Sequence, residues 1–133
     1  SPMVTSMGLG TTLPLLSSAT GRAFLAWSPE GVIEKTRSVE LRRARRNPSL
    51  LPDITLTESG LKDLCAHVRE NGFASVEGRY IPGLVAIAAP ILDWQDQAQA
   101  VVTLIGTDPA MIRKEAPTVQ ALLEFCREQS LSS

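Results

Sequence analysis

Small residues fill Ser17-Ser18-Ala19-Thr20-Gly21, between the apolar Leu13-Pro14-Leu15-Leu16 and the helix-forming Arg22-Ala23-Phe24-Leu25-Ala26. A polar loop that opens a helix leaves backbone N–H groups without partners, at the end where the helix dipole is positive. Such a site holds anions and suits a carboxylate. A second stretch, Gly83-Leu84-Val85-Ala86-Ile87-Ala88-Ala89-Pro90, reads as a buried strand. One face of its middle carries only Ala86, Ala88 and Pro90. A face of small side chains either receives another backbone closely or leaves a cavity. Thr103, on the following strand, adds one hydroxyl. Mostly apolar walls with a few placed polar groups are how small-molecule sites are built.

The chemistry of an enzyme is not visible. Ser17, Ser18 and Thr20 have no evident base, because the single histidine, His67, falls off the apolar stripe of its helix and reads as a surface residue. Asp93 and Asp96 read as turn residues. Without a nucleophile and base, or paired carboxylates in one cleft, no catalytic activity is expected. One histidine and two cysteines cannot build a four-ligand Cys/His cage, so neither metal nor cofactor is expected. Cys65 and Cys126 both lie on apolar helix stripes and read as free buried thiols. Arg42, Arg43, Arg45 and Arg46 crowd the end of a helix, where cations suit the dipole. With Glu34 and Glu40 diluting them, they read as a solvated face rather than a phosphate-binding patch.

The elements that position these groups follow from periodicity and caps. Met3 to Gly8 reads as a short strand, with Gly8 and Gly10 marking a turn, and Leu13 to Leu16 ends an extended segment. Ser18 caps a helix over 19–27 that buries Ala23, Phe24 and Trp27. Ser28 as N-cap and Pro29 at the first helical position start a second helix, which runs to Arg46. Pro48 to Ile54 is a loop. Thr57 caps a third helix, in which Leu61, Leu64, Cys65 and Val68 keep helical spacing until Asn71-Gly72 closes it in a left-handed turn.

Phe73 to Glu77 reads as a strand, followed by a loop carrying Arg79 and Tyr80. Leu84 to Leu92 is a strand buried on both sides, with Val85, Ile87 and Ile91 opposite the small face. A polar turn over 93–97 returns the chain as an antiparallel strand over 98–106. Val101, Thr103 and Ile105 share one face of it, and Ala100, Val102 and Leu104 the other. The last helix starts near Lys114 or Pro117 and buries Val119, Leu122, Leu123 and Cys126, and Ser130 to Ser133 frays. The fold class is α/β of the α+β kind. A chain of 133 residues with 44% apolar and 20% charged residues fits one domain with its own core. A net charge of −1 gives no bulk attraction to nucleic acid or to an anionic membrane. No apolar run approaches the ~20 residues that span a bilayer, and no signal peptide is recognisable, so a cytoplasmic location is expected.

Leu13 to Ala26, then Leu64 to Phe73, then Gly83 to Pro90, in this order and with a returning strand that ends at Gly106, resemble the effector-binding domain of IclR-type bacterial transcriptional regulators. The resemblance covers nearly the whole chain. It implies a GAF-like antiparallel sheet flanked by helices, in a single effector-binding domain over 1–133. It also implies that the chain is the later two-thirds of that domain, without its first strands and without the N-terminal winged helix-turn-helix domain that binds DNA. The partners implied are a small organic acid effector, DNA only through the missing domain, and no membrane.

By the same resemblance Ala19 and Thr20 meet the effector's carboxylate, largely through backbone N–H groups. Val76 (with Glu77 beside it), Ala86, Thr103 and Ile105 line the pocket. Val76, Ala86 and Ile105 stand where short keto-acid sensors of the family carry polar side chains. The expected pocket is therefore more apolar and takes a larger carboxylate, aromatic ones included, with Arg79 and Tyr80 closing over it. Two functions remain open at this point: a sensor whose effector shifts DNA affinity, or a structural oligomerisation module with a vestigial pocket. Apolar strands without their neighbours also suggest pairing between subunits, giving a homo-oligomer, dimer or tetramer.

Overall fold

The computed structural model describes residues 3–5, 15–78 and 82–131. In chain order the main elements are β1 (Met3–Thr5), α1 (Ala19–Trp27), α2 (Glu30–Arg45), α3 (Glu58–Asn71), β2 (Ala74–Glu77), β3 (Val85–Leu92), β4 (Ala98–Gly106) and α4 (Pro117–Gln129). Single 3-10 turns lie at Pro48–Leu50, inside the expected loop, and at Pro109–Ile112. The strands form one antiparallel sheet in the order β1-β4-β3-β2.

Alternation along β3 decides the layering. Val85, Ile87 and Ala89 face one core, which contains Met111 and the Val119, Leu122 and Cys126 stripe of α4. Ala88, with Ala86 beside it, faces the other core, built from Ala19, Ala23 and Ala26 of α1, Leu61, Cys65 and Val68 of α3, and Ile33 and Leu41 of α2. A strand covered on both sides has to be apolar throughout, and β3 is. The faces of β4 fall as the alternation requires, Val101 packing on the α1 side and Val102 and Leu104 on the α4 side.

Local signals set most boundaries. Ser18 Oγ accepts the Gly21 N–H at 3.0 Å and Thr57 Oγ1 accepts the Gly60 N–H at 3.0 Å, so both expected N-caps form. Gly72 closes α3 at φ 89°, its N–H donating to the Val68 carbonyl. His67 is exposed beside Asn71, as its place off the stripe requires.

Four expectations need correction. Phe24 is exposed, because alanines bring α1 against the sheet and turn the larger ring outward. Ser28 does not cap α2: its hydroxyl donates to the Phe24 carbonyl at 2.6 Å, finishing α1, so Pro29 becomes the cap residue and α2 begins at Glu30. Leu15 to Ser17 form a turn rather than the end of an extended segment. Ser130 and Leu131 are tied down, since Ser130 Oγ accepts the Leu92 N–H and the Leu131 N–H donates to the Leu92 carbonyl, each at 2.8 Å.

A cation also sits inside α2's buried stripe. Arg37 lies between Ile33 and Leu41, donates to both oxygens of Glu30, and reaches Glu58 at 3.1 Å at the start of α3. Its guanidinium holds the Glu30 carboxyl below the usual carboxylate range.

Both cysteines are free and buried, one in each core, so the sheet separates them. Burial pushes the Cys126 thiol up from 9.0 to about 11. Burial also raises Cys65, against a smaller opposing pull from Arg69 and Arg37. Groups with raised folded-state pKa hold their stabilising effect below the unfolded value and lose it as pH rises through the folded one. The melting temperature is therefore expected to fall between pH 9 and about 11, with Cys126→Ala flattening part of the decline. Ellman's reagent should react with either thiol at pH 8 only after denaturation. Fast labelling of the native protein would contradict this burial.

Candidate functional site

Sheet register gathers the expected site residues. Val76 pairs with Ala86, and Ala86 with Ile105, in one row across β2, β3 and β4. The next row is Ala74, Ala88 and Thr103. Directly paired residues share a face, so both rows lie on the α1 side of the sheet. Val76 and Thr103 are buried, while Ala86 and Ile105 are half-buried.

The start of α1 stands over this face. Thr20 Oγ1 lies 2.6 Å from Thr103 Oγ1, a hydrogen bond that ties the first turn of the helix to β4. Ser18 caps this turn through its side chain, and its carbonyl accepts the Arg22 N–H at 3.1 Å. The N–H groups of Ala19 and Thr20 have no acceptor within the helix, as helix geometry requires. Donor N–H groups and a hydroxyl pair thus meet beside a small-residue, apolar face. Of the expected residues the structure brings together Ala19, Thr20, Val76, Ala86, Thr103 and Ile105. Arg79 and Tyr80 lie outside the described residues.

One group that organises this loop was absent from the sequence reading. Arg22 is 4% exposed, and its guanidinium makes a fork between two segments. Nε donates to the Leu16 carbonyl at 2.8 Å, Nη1 to Asp53 Oδ2 at 2.8 Å and Nη2 to Asp53 Oδ1 at 3.3 Å. The turn before α1 is thereby fastened to the α2–α3 connection. A signal for this existed: Arg22 stands three residues after Ala19 and three before Leu25, on α1's apolar stripe, where a cation must be paired.

Among the described residues every buried side-chain polar atom has a partner, and no three His, Cys, Asp or Glu side chains gather as a metal site. No helix among them is long and apolar enough to cross a membrane.

Residues 2–131 match the family described as the bacterial transcriptional regulator IclR, C-terminal. The chain belongs to the IclR family. Among similar proteins is the HTH-type transcriptional regulator BhcR of Paracoccus denitrificans, 30% identical over 125 residues, which cover 91% of this chain and 42% of BhcR. The crystal structure of Pseudomonas aeruginosa HmgR superposes with a TM-score of 0.70 at 29% identity, covering 96% of this chain and 48% of HmgR. An IclR regulator of Alicyclobacillus acidocaldarius superposes at 0.60 with 26% identity, over 94% of this chain and 46% of that one. Thermotoga maritima IclR, at 22% identity and a TM-score of 0.60, shares the fold. This IclR chain thus spans about half the length of the relatives it matches, and corresponds to their C-terminal part. Its α+β layering, an antiparallel sheet between helices, is that of the solved IclR-family structures.

Proposed function

We propose that this IclR C-terminal domain senses an organic carboxylate at the junction of α1 and the sheet. The observation that carries the reading is the Thr20–Thr103 hydroxyl contact, which ties the first turn of α1, whose N–H groups have no acceptor within the helix, to the sheet face that Val76, Ala86 and Ile105 share with Thr103. A carboxylate would accept from the Ala19 and Thr20 N–H groups and take Thr103 Oγ1 as a donor in place of Thr20. Val76, Ala86 and Ile105 offer it no polar group, so the acid has an apolar body, aromatic acids included. In the whole regulator a winged helix-turn-helix domain outside this chain binds DNA. Effector binding favours one arrangement of the homo-oligomer, a dimer or tetramer, and so shifts DNA affinity; a coupling of ~1–3 kcal/mol suffices.

A structural reading has its own support. Thr20 and Thr103 satisfy each other's hydroxyls without a ligand, an arrangement that would also suit a module that only assembles subunits.

A thermal-shift screen of short keto acids against aromatic carboxylates separates the two. A ligand at ~100 times its Kd adds ~2.7 kcal/mol, worth several degrees for a domain of this size. Aromatic acids are expected to raise the melting temperature, and Thr103→Val to remove most of that shift. A response to keto acids alone would sink the apolar-pocket argument. Silence to every acid would leave the assembly module.

A further inference from the structure

The connection between α2 and α3 receives guanidinium groups from two different helices. Arg22 of α1 grips both carboxylate oxygens of Asp53. Arg45, at the end of α2, donates from Nε to the Leu56 carbonyl at 3.0 Å. Arg37, in the middle of α2, reaches Glu58 at the first residue of α3. All of these anchors fall within residues 53–58.

The span itself is held against α3. Leu51, Ile54 and Leu56 pack into the core that α1 and α3 share. Thr57 caps α3, and a Cβ at Gly60 would run into the Thr55 carbonyl, so the span lies close against that helix's first turn. α2 has less of its own to hold it. Its buried stripe is Ile33, Arg37 and Leu41, a cation between two apolar side chains in a helix of 16 residues. The element nearest to it is the 3-10 turn at Pro48–Leu50, whereas α1 lies against α3 and the sheet.

We infer that the 53–58 span is a clasp joining the first turn of α1 to α2, so that the two loosen and tighten together. Arg22 holds one side of the clasp, Arg37 and Arg45 hold the other, and α3 is its rigid base. Rigid elements linked by hydrogen bonds and ion pairs carry coupling of this kind. Arg37 bonds to Glu30 and Glu58, neither of them in α1 or the sheet. Arg37 and Glu58 therefore act on the first turn of α1 as positioning residues, through the clasp alone. The clasp is a property of the ligand-free chain. Its use rests on the carboxylate reading: a ligand held by the Ala19 and Thr20 N–H groups would firm α2 as well. The alternative is a set of separate latches, each steadying only its own helix.

Native-state hydrogen exchange on the ligand-free chain tests it, comparing wild type with Asp53→Asn and Glu58→Gln. Both substitutions keep the side chain's shape, and circular dichroism checks that each variant is folded. Asp53→Asn is expected to speed exchange at least ~3-fold in α2, at 33–45, which Asp53 anchors only through the clasp. Glu58→Gln is expected to do the same at 21–26 in α1, the helix that Arg37 does not touch. α4, in the other core, is the control and should keep its wild-type rates. Effects confined to α1 for Asp53→Asn, or to α2 for Glu58→Gln, would overturn the clasp in favour of separate latches. An equal rise in α4 would overturn it too, as a general loss of stability. Should one variant fail to fold, the effect of the other on the far helix still decides. No ligand enters the measurement, so its failure is distinct from failure of the carboxylate reading, which the thermal-shift screen tests.

Discussion

Arg22→Leu is expected to cost the domain about 2–4 kcal/mol. Removing one partner of a fully buried ion pair costs ~3–5 kcal/mol, and the lower range applies because Asp53 keeps 37% of its side chain in water. Part of the loss comes from the Leu16 carbonyl, which gives up its Nε donor in a buried position. Arg22→Lys restores the charge but not the fork, since an ammonium cannot serve Leu16 and both Asp53 oxygens in one plane. It should recover less than half of the loss. Urea unfolding midpoints measure both variants, and an Arg22→Leu change under ~1 kcal/mol would show that the guanidinium holds nothing together. Because Arg22 fastens the turn that precedes α1, a carboxylate should also bind more weakly to any variant that stays folded.

Gly21→Ala should damage the site as well as the fold. A Cβ at Gly21 would run into the backbone of Leu15, at its Cα, carbonyl carbon and oxygen, so the turn before α1 must move to admit it. Overpacking of this kind costs about 1–3 kcal/mol. The displaced turn carries Ser18, which caps Gly21, and leads directly into Ala19 and Thr20. Carboxylate binding is expected to weaken at least ~10-fold, since a shift of about 1 Å in a positioned donor has effects of that order or more. Gly31→Ala is the control: a Cβ there meets nothing within 4 Å, and α2 should be unchanged or slightly more stable. Equal melting temperatures and equal ligand shifts for Gly21→Ala and wild type would contradict the close approach.

These two residues mark how far the site was legible. Gly21 and Arg22 both stand in the stretch that carries the family resemblance, yet the close approach at Gly21 needs the coordinates of Leu15, six positions earlier. Arg22 was visible only as a cation on an apolar stripe. Its partners come from Leu16 and Asp53, and nothing local points to Asp53, 31 positions away. The expected pocket residues on the strands, Val76, Ala86, Thr103 and Ile105, in contrast, fall into two adjoining sheet rows, because strict alternation along β3 and β4 and a short turn between them leave little freedom in register.

The local chemistry of the chain was enough for the α1 and α3 caps, the left-handed stop at Gly72, both faces of β3 and β4, and the free state of both thiols. Each depends on residues a few positions apart, where helix and strand periods and side-chain capping act. Long-range packing had to settle the rest: Phe24 turned outward, Ser28 closing α1 instead of opening α2, Arg22 and Arg37 buried among their carboxylates, and the Thr20 hydroxyl on Thr103. All of these are choices between competing partners. A hydroxyl or a guanidinium has several acceptors of similar strength, and which one it takes depends on which segments the hydrophobic core brings within about 3 Å.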